Sequence, residues 1–139
     1  MRTVRLNHRQ LVKLEKTLFK LSFGFGGAMS SYLFAAIKDP KKFVNVRAAI
    51  DDGKIIGWSI IHRVKFSSFK DVKFTIAVFV DPKYRRRGIG LHLLKMNTRD
   101  FKLRYPTEDL LHGSSGESSD SMWEKSGAKR VNFYGYSIR

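Results

Sequence analysis

Apolar positions along this chain repeat every three to four residues in some stretches and every second residue in others, and the changes of period mark its elements. Thr3 to Leu6 reads as a short first strand. Asn7 is placed to cap a helix, with Gln10 at the third helical position in a variant of the capping box. Leu11, Leu14, Leu18 and Leu21 then recur at spacings of three and four while Lys13, Lys16 and Lys20 fall elsewhere, which predicts one amphipathic helix. Gly24-Phe25-Gly26-Gly27 breaks it. A second helix is predicted from Ala28 to just before Pro40, with Met29, Leu33, Ala36 and Ile37 on one side.

Val44 to Ile50, the turn Asp51-Asp52-Gly53 and Lys54 to Phe66 read as an antiparallel hairpin, because Asp and Gly tolerate the positive φ of tight turns. A turn at Ser67-Ser68 leads to the most regular strand, where Val72, Phe74, Ile76, Val78 and Val80 alternate with Lys73, Thr75 and Ala77. These three strands make a meander. A helix follows to about Lys102, with Leu91, Leu94 and Phe101 on one stripe and Ile89, Leu93 and Met96 beside it, until Pro106 ends the unit. Asp109 to His112 is a short strand, and a small-residue loop from Gly113 leads to a short helix at Met122-Trp123-Glu124-Lys125. The tail from Lys129 to Ile138 carries the strand formers Val131, Phe133, Tyr134 and Tyr136. Two helices before most of the strands argue against a doubly wound sheet.

Between the regular strand and the helix after it lies Asp81-Pro82-Lys83-Tyr84-Arg85-Arg86-Arg87-Gly88-Ile89-Gly90-Leu91. Gly88 and Gly90 carry no Cβ, so a ligand can approach the backbone, and the first amides of the helix have no intrahelical acceptor. Those donors and the positive end of the helix dipole favour an anion, and three arginines add bidentate phosphate donors. The stretch reads as a diphosphate cradle. The dinucleotide fingerprint needs a third glycine and a later acidic residue, and the phosphate loop of nucleotide hydrolases needs Gly-Lys-Ser/Thr, so neither fits. A basic strand-to-helix turn without a ligand has the same local pattern, and the order of the surrounding elements decides between the two.

Arg85-x-x-Gly88-x-Gly90, preceded by Val80-x-Pro82, resembles the acyl-CoA-binding loop of the GNAT family of N-acetyltransferases. Asp52-Gly53-Lys54-Ile55-Ile56-Gly57 is similar to that family's hairpin before its third strand, and Trp123-Glu124-Lys125-Ser126-Gly127-Ala128 to its last-helix motif, usually Tyr-x-Lys-x-Gly-Phe. The element order agrees with the family's over essentially the whole chain. The resemblance implies an α/β (α+β) fold with a mixed, mostly antiparallel central sheet flanked by about four helices. It implies acetyl-CoA as acyl donor, with backbone groups of Val78, Phe79 and Val80 holding the pantetheine arm like an added strand. Arg86, Arg87, Gly88, Ile89, Gly90 and Leu91 would supply the diphosphate amides, and Arg85 would brace the turn.

The departures fall on groups that move protons. Trp123 stands where many relatives have a tyrosine acid, and an indole is no useful proton donor to a thiolate. Lys73 and Thr75 stand where a carboxylate is often found in the fourth strand, and Gly116 stands where an asparagine would precede the last-helix motif by seven residues. His112 closes the short fifth strand near where some relatives carry a base, and an imidazole titrates close to neutrality, so it is the candidate catalytic residue. His62, in the hairpin, reads as a satisfied or exposed strand histidine. Ser115, Ser119 and Ser121 read as loop and cap hydrogen-bonders. Gly24 to Gly27 borders the region where relatives admit the acceptor, and suits either a mobile lid or a plain connector.

Composition narrows the partners. With 139 residues, 42% hydrophobic and 13% aromatic, the chain has apolar surface for one core, so a single domain over residues 1–139 is expected. No apolar run nears the roughly 18 residues of a membrane span, and Met1-Arg2-Thr3-Val4-Arg5 lacks a secretory apolar segment, so a soluble, cytoplasmic protein is expected. There is no cysteine, and the four histidines include no i, i+4 pair, so no metal is expected. A net charge of +15 favours anions without distinguishing coenzyme A phosphates, an acidic protein or a nucleic acid. The basic residues are scattered, with only Lys83 to Arg87 tightly clustered, which favours solvated faces over a nucleic-acid groove.

The expected activity is therefore transfer of an acetyl group from acetyl-CoA to a primary amine, on an acidic protein or an aminoacyl-tRNA in preference to a cationic small molecule. A non-catalytic coenzyme A-binding or acidic-partner module, or a nucleic-acid-binding protein on the same fold, remains open. Only about a dozen residues follow Gly127, which points to an incomplete sheet edge and hence to a homodimer.

Overall fold

The computed structural model describes residues 1–22, 37–63, 74–113, 125, 129–131 and 135–138. Strand β1 (Arg2–Leu6) turns through Asn7 into helix α1 (His8–Lys13), and helix α2 (Glu15–Ser22) follows. The capping box forms as its residues require: the Asn7 side chain accepts from the Gln10 N–H at 2.8 Å, and the Gln10 side chain accepts from the Asn7 N–H at 2.9 Å. The expected single helix is interrupted at Leu14, a departure of one residue. The bonds from the Leu14 N–H to the Gln10 carbonyl and from the Leu18 N–H to the Leu14 carbonyl persist, so Leu11 and Leu18 stay buried on one face.

Strands β2 (Phe43–Asp51), β3 (Lys54–Arg63) and β4 (Phe74–Val80) form the antiparallel meander that the alternation predicts. Asp52 and Gly53 turn the first hairpin with φ of 49° and 73°, the left-handed geometry that a tight hairpin needs. A 3₁₀ turn (Pro82–Tyr84) leads into helix α3 (Ile89–Arg104), followed by β5 (Leu110–Gly113), β6 (Lys129–Val131) and β7 (Gly135–Ile138). The strands make one sheet in the order β1-β2-β3-β4-β5-β7-β6. Every described pairing is antiparallel except β4 with β5.

The residues after Gly127 thus form two strands, not the incomplete edge expected. The reason is economy of length: three residues of β6 and four of β7 pair with each other, and β7 also pairs with β5. The predicted helix from Ala28 lies outside the described residues up to residue 36, and its end at Ile37 and Lys38 is helical as expected; the Gly24–Gly27 break and the small-residue loop after Gly113 also lie outside them.

Both faces of the sheet are covered, so β3 is buried without a break from Ile56 to His62. On one face Leu11 and Leu18 meet Val46, Ala48, Trp58, Ile60, Ala77 and Phe79. On the other, α3 lays Ile89, Leu93, Leu94 and Phe101 against Val80, Ile76, Ile61 and Phe74. A polar seam crosses this second interface. Asn97 donates to Ser59 at 2.9 Å and accepts from Asn45 at 2.6 Å, while Arg47 grips Asp100 at 2.7 and 3.3 Å. Burial alone would raise the Asp100 carboxyl, but hydrogen bonds from Arg47 and Asn45 and the charges of Arg47 and Arg5 hold it below the usual carboxylate range. Hydrogen bonds are directional where apolar contacts are not, so the seam fixes the position of α3 along and across the sheet. Among the described residues no helix is long and apolar enough to cross a membrane.

Candidate functional site

The cradle is built by a sequence of local constraints. The Asp81 side chain accepts from the Lys83 N–H at 3.0 Å, Pro82 supplies the fixed φ of the first 3₁₀ position, and the chain then extends at Arg85. Arg86 and Gly88 take left-handed φ of 66° and 77°. Gly88 caps α3 with no side chain, the first turn of α3 holds no acidic residue, and the Gly88 carbonyl accepts from the His92 N–H at 3.0 Å. The amides of Ile89, Gly90 and Leu91 therefore stand at the first three helical positions, where no intrahelical acceptor reaches them. Arg86 and Arg87 are exposed beside them, with the Arg87 guanidinium over the Tyr84 ring at 5.2 Å.

Arg85 does what the sequence implied. Its Nε donates to the Val80 carbonyl at 2.9 Å and its guanidinium lies 5.8 Å from the centre of the Phe79 ring, so it ties the turn to the strand before it. Both of these contacts are structural.

The second part of the site is the edge of β4. β4 and β5 run parallel and pair at one point, Thr75 with Leu111, although β4 continues for five residues beyond it. Past that point, Val78 to Val80 face no strand on the β5 side among the described residues. The register decides which backbone groups turn that way. The Asp81 N–H bonds to the Ile56 carbonyl at 2.8 Å, so Phe79, Ala77 and Thr75 turn their N–H and C=O toward β3, while Val80 and Val78 turn theirs outward. Of the three residues expected to hold a pantetheine arm, Val78 and Val80 thus present backbone to the open side. The Val80 carbonyl is already engaged by Arg85, and Phe79 presents its ring to Trp58.

Gly57 lets these parts meet. It pairs with Val80, and a Cβ there would lie 3.3 Å from Leu93 Cδ1 on α3. A cleft of about 240 Å³ opens between the first hairpin and the cradle, walled by Asp51, Ile56, Tyr84, Arg87 and Ile89 with Met1. It lies on the hairpin side, away from the outward groups of Val78.

His112 sits in β5, one residue beyond Leu111, and its backbone pairs with Tyr136 of β7. Its place is therefore next to the point where β4 and β5 part. Trp123, Lys73, Gly116, Ser115, Ser119 and Ser121 lie outside the described residues. Among the described residues no three His, Asp or Glu side chains are grouped to hold a metal.

Sequence reasoning passed over two residues here. Of the two outcomes expected for His62, a satisfied or an exposed strand histidine, it is the satisfied one: it is 2% exposed, and the hydroxyl of Thr75 lies 3.1 Å from Nδ1 and 3.3 Å from Nε2. Burial first, and then the charge of Lys42, pushes its pKa down from the usual value to about 4. The available signal was the direct cross-strand pairing of two polar residues in an otherwise apolar face. It depends on register, which the sequence leaves open.

The model of the family described as the acetyltransferase (GNAT) family matches residues 10–104. No curated protein matches the sequence. Solved structures match the fold over nearly the whole chain. A crystal structure of an N-acetyltransferase from Staphylococcus aureus Mu50 covers 99% of this chain and 98% of its own, at 12% identity and a TM-score of 0.66. A ribosomal-protein-alanine N-acetyltransferase from Brucella melitensis biovar Abortus 2308 covers 100% and 99%, at 16% identity and 0.63. A GNAT family acetyltransferase from Brucella melitensis, crystallised in complex with acetyl-CoA, covers 97% and 86%, at 13% identity and 0.64.

Proposed function

Because this chain belongs to the GNAT family of acetyltransferases, we propose that residues 1–139 act as a single domain in the cytoplasm, moving an acetyl group from acetyl-CoA to a primary amine on an anionic macromolecule. One observation carries the reading. The amides of Ile89, Gly90 and Leu91, with no intrahelical acceptor, follow the end of β4, and the outward backbone of Val78 lies before them on the strand's open edge. A diphosphate fits the first set of donors, with Gly88 leaving the approach clear and Arg86 and Arg87 supplying charge. An extended amide chain fits the second, as a strand added at an edge. The likeness to a structure holding acetyl-CoA supports the same assignment.

The chemistry that follows is addition and elimination. The neutral amine attacks the thioester carbonyl, the carbonyl oxygen takes up negative charge, and the C–S bond breaks as the new amide forms. The nitrogen loses one proton, for which His112 is the proposed acceptor, and the thiolate leaves to be protonated by solvent or by the conjugate acid of that base. Holding the two reactants in line supplies much of the acceleration even where an acid is weak. A net charge of +15 supports an acidic protein or an aminoacyl-tRNA as the carrier of the amine.

The test is titration calorimetry with acetyl-CoA, followed by mass spectrometry of an acidic peptide that bears a free N-terminal alanine and one lysine. Saturable binding with a 42 Da gain on the peptide, about the mass of an acetyl group replacing a proton, is expected. Binding without transfer to that peptide, to acidic proteins or to aminoacyl-tRNA would favour a non-catalytic coenzyme A-binding module. RNA binding that falls steeply with salt, without affinity for acetyl-CoA, would favour a nucleic-acid-binding protein.

A further inference from the structure

Helix α3 turns its apolar stripe to the sheet, and its opposite face is basic. His92, Lys95, Arg99 and Leu103 are all exposed, and their spacings of three, four and four, at about 100° per residue, set them within about 80° of arc. The basic residues are scattered along the sequence, and the helix gathers these three. The only acidic residue of α3, Asp100, is withdrawn from this face: Arg47 holds it at 2.7 and 3.3 Å, and its side chain is 11% exposed. Two further cations at the end of the helix are engaged, Lys102 donating to the Glu108 carbonyl and Arg104 to the Val44 carbonyl at 3.4 Å. Lys95 and Arg99 make no hydrogen bond or ion pair with any described residue. They stand four residues apart, about 6 Å along the axis, where like charges weaken a helix. Neither charge serves folding.

We propose that the outer face of α3 docks the phosphate backbone of an RNA, with Lys95 and Arg99 as phosphate contacts and His92 beside them. A positive field attracts acidic proteins and nucleic acids alike, and the make-up of the face separates the two. A protein interface draws its energy from apolar and aromatic anchors buried at its centre. This face has one large exposed apolar side chain, Leu103, at its far end. Phosphate contacts need no such anchor, and lysine and arginine both make them without reading a base. The amine favours RNA over DNA: an RNA esterified with an amino acid carries a primary aliphatic amine, and DNA carries none. In that choice alone the inference rests on the acetyl-transfer reading above. The face begins one turn from the cradle, where the His92 N–H bonds to the Gly88 carbonyl at 3.0 Å. A diphosphate at the end of the helix and RNA phosphates along its side therefore use different groups.

The experiment follows the binding of fluorescein-labelled, unfractionated tRNA by anisotropy from about 50 to about 200 mM salt, with a DNA hairpin and poly-glutamate as competitors. It compares the wild-type protein with two double variants. One is Lys95→Ala with Arg99→Ala; the other, Lys13→Ala with Lys16→Ala, removes the same charge from exposed positions of α1 and α2. The α3 variant should bind tRNA roughly 10-fold more weakly and lose about 2 from the slope of log affinity against log salt, while the other stays within about twofold of wild type. Both should bind acetyl-CoA as the wild type does, since neither touches the cradle. Equal losses in the two variants would assign the attraction to the charge of the whole molecule and overturn the inference. Wild-type affinity retained by the α3 variant would overturn it as well, as would tighter binding of the wild type to the DNA hairpin or to poly-glutamate than to tRNA. All of these leave the acetyltransferase reading standing. Tight tRNA binding through α3 in a protein that transfers no acetyl group would do the reverse, upholding this face and overturning that reading.

Discussion

Gly57 lies so close to Phe79 that a Cβ placed on it would sit 2.8 Å from the Phe79 carbonyl oxygen. That oxygen belongs to the backbone of the strand that ends at the cradle, so it cannot swing aside as a side chain would. Gly57→Ala should therefore destabilise the protein by about 1–3 kcal/mol. It should also weaken acetyl-CoA binding, because the end of β4 and Leu93 of α3 would be pushed apart. Thermal denaturation and calorimetry on the same preparation check both, and wild-type values for the two would show that the contact relaxes freely.

Substitutions in the cradle should separate binding from folding. Around Gly88 there is open space within 4 Å, so Gly88→Ala meets no clash, yet its φ of +77° makes any Cβ cost about 1–2 kcal/mol. Gly90→Val places a branched side chain at the second helical position, beside the free amides. Acetyl-CoA affinity should be lost there while circular dichroism stays native. Retained affinity in a folded Gly90→Val protein would remove the diphosphate from this position.

The depressed pKa of His62 makes stability depend on pH in a defined window. Between its folded value of about 4 and the ordinary value near 6.5, the unfolded chain binds a proton that the folded one does not. Stability contributed by the neutral ring is fully present above the upper value and declines as pH falls, by about 1.4 kcal/mol per unit at most. Urea midpoints between pH 4.5 and 7.5 should show that decline in the wild type and a weaker one in His62→Gln. Parallel slopes would place the proton uptake elsewhere.

Removing Asp100 should cost more than removing an exposed carboxylate. Asp100→Ala leaves the Arg47 guanidinium, 15% exposed, with only Thr3 among the partners it has here, and withdraws an acceptor from Asn45. A loss of about 2–3 kcal/mol is expected from unfolding in urea. Asp100→Asn, which keeps one acceptor oxygen, should lose less.

His112→Ala should lower turnover by about 10²-fold with acetyl-CoA affinity nearly intact, the usual effect of losing a general base. The pH–rate profile of the wild type should show a limb near neutrality that the variant lacks. An unaltered rate would exclude His112 from proton transfer.

The parts of this molecule that were legible in the sequence are those whose local chemistry has one solution. Asn7 and Gln10 form the predicted box, Asp52-Gly53 makes the predicted turn, and the alternation from Phe74 to Val80 is one strand. The helix after Gly88 starts where the glycines and arginines placed it. Contacts between distant segments were not legible. Asn97 falls between Leu94 and Phe101 on the buried stripe of α3, a polar residue in an apolar row whose meaning appears only when Ser59 and Asn45 meet it. Thr75 read as a missing carboxylate because its partner is fixed by the register of β3 against β4. Backbone recognition hides in the same way. Nothing about the side chains of Phe79 and Val80 told which of them turns its amide to the open edge; the Asp81 to Ile56 bond sets that parity.

The sheet order β5-β7-β6 carries a consequence for how the chain becomes a structure. β7 lies between its predecessors, so β6, though made earlier, has no neighbour to join until β7 arrives. The two form a wedge that seats as a unit. During synthesis, the meander and α3 have their partners available, while β5 has its brief pairing with β4 and the packing of Leu110 against Leu94 and Phe101. Assembly therefore runs from the first strands outward and finishes beside the opening between β4 and β5. Until then the lone segment from Lys129 to Val131 is exposed to whatever strand it meets first, the period in which a crowded ribosome or a chaperone would find this protein vulnerable.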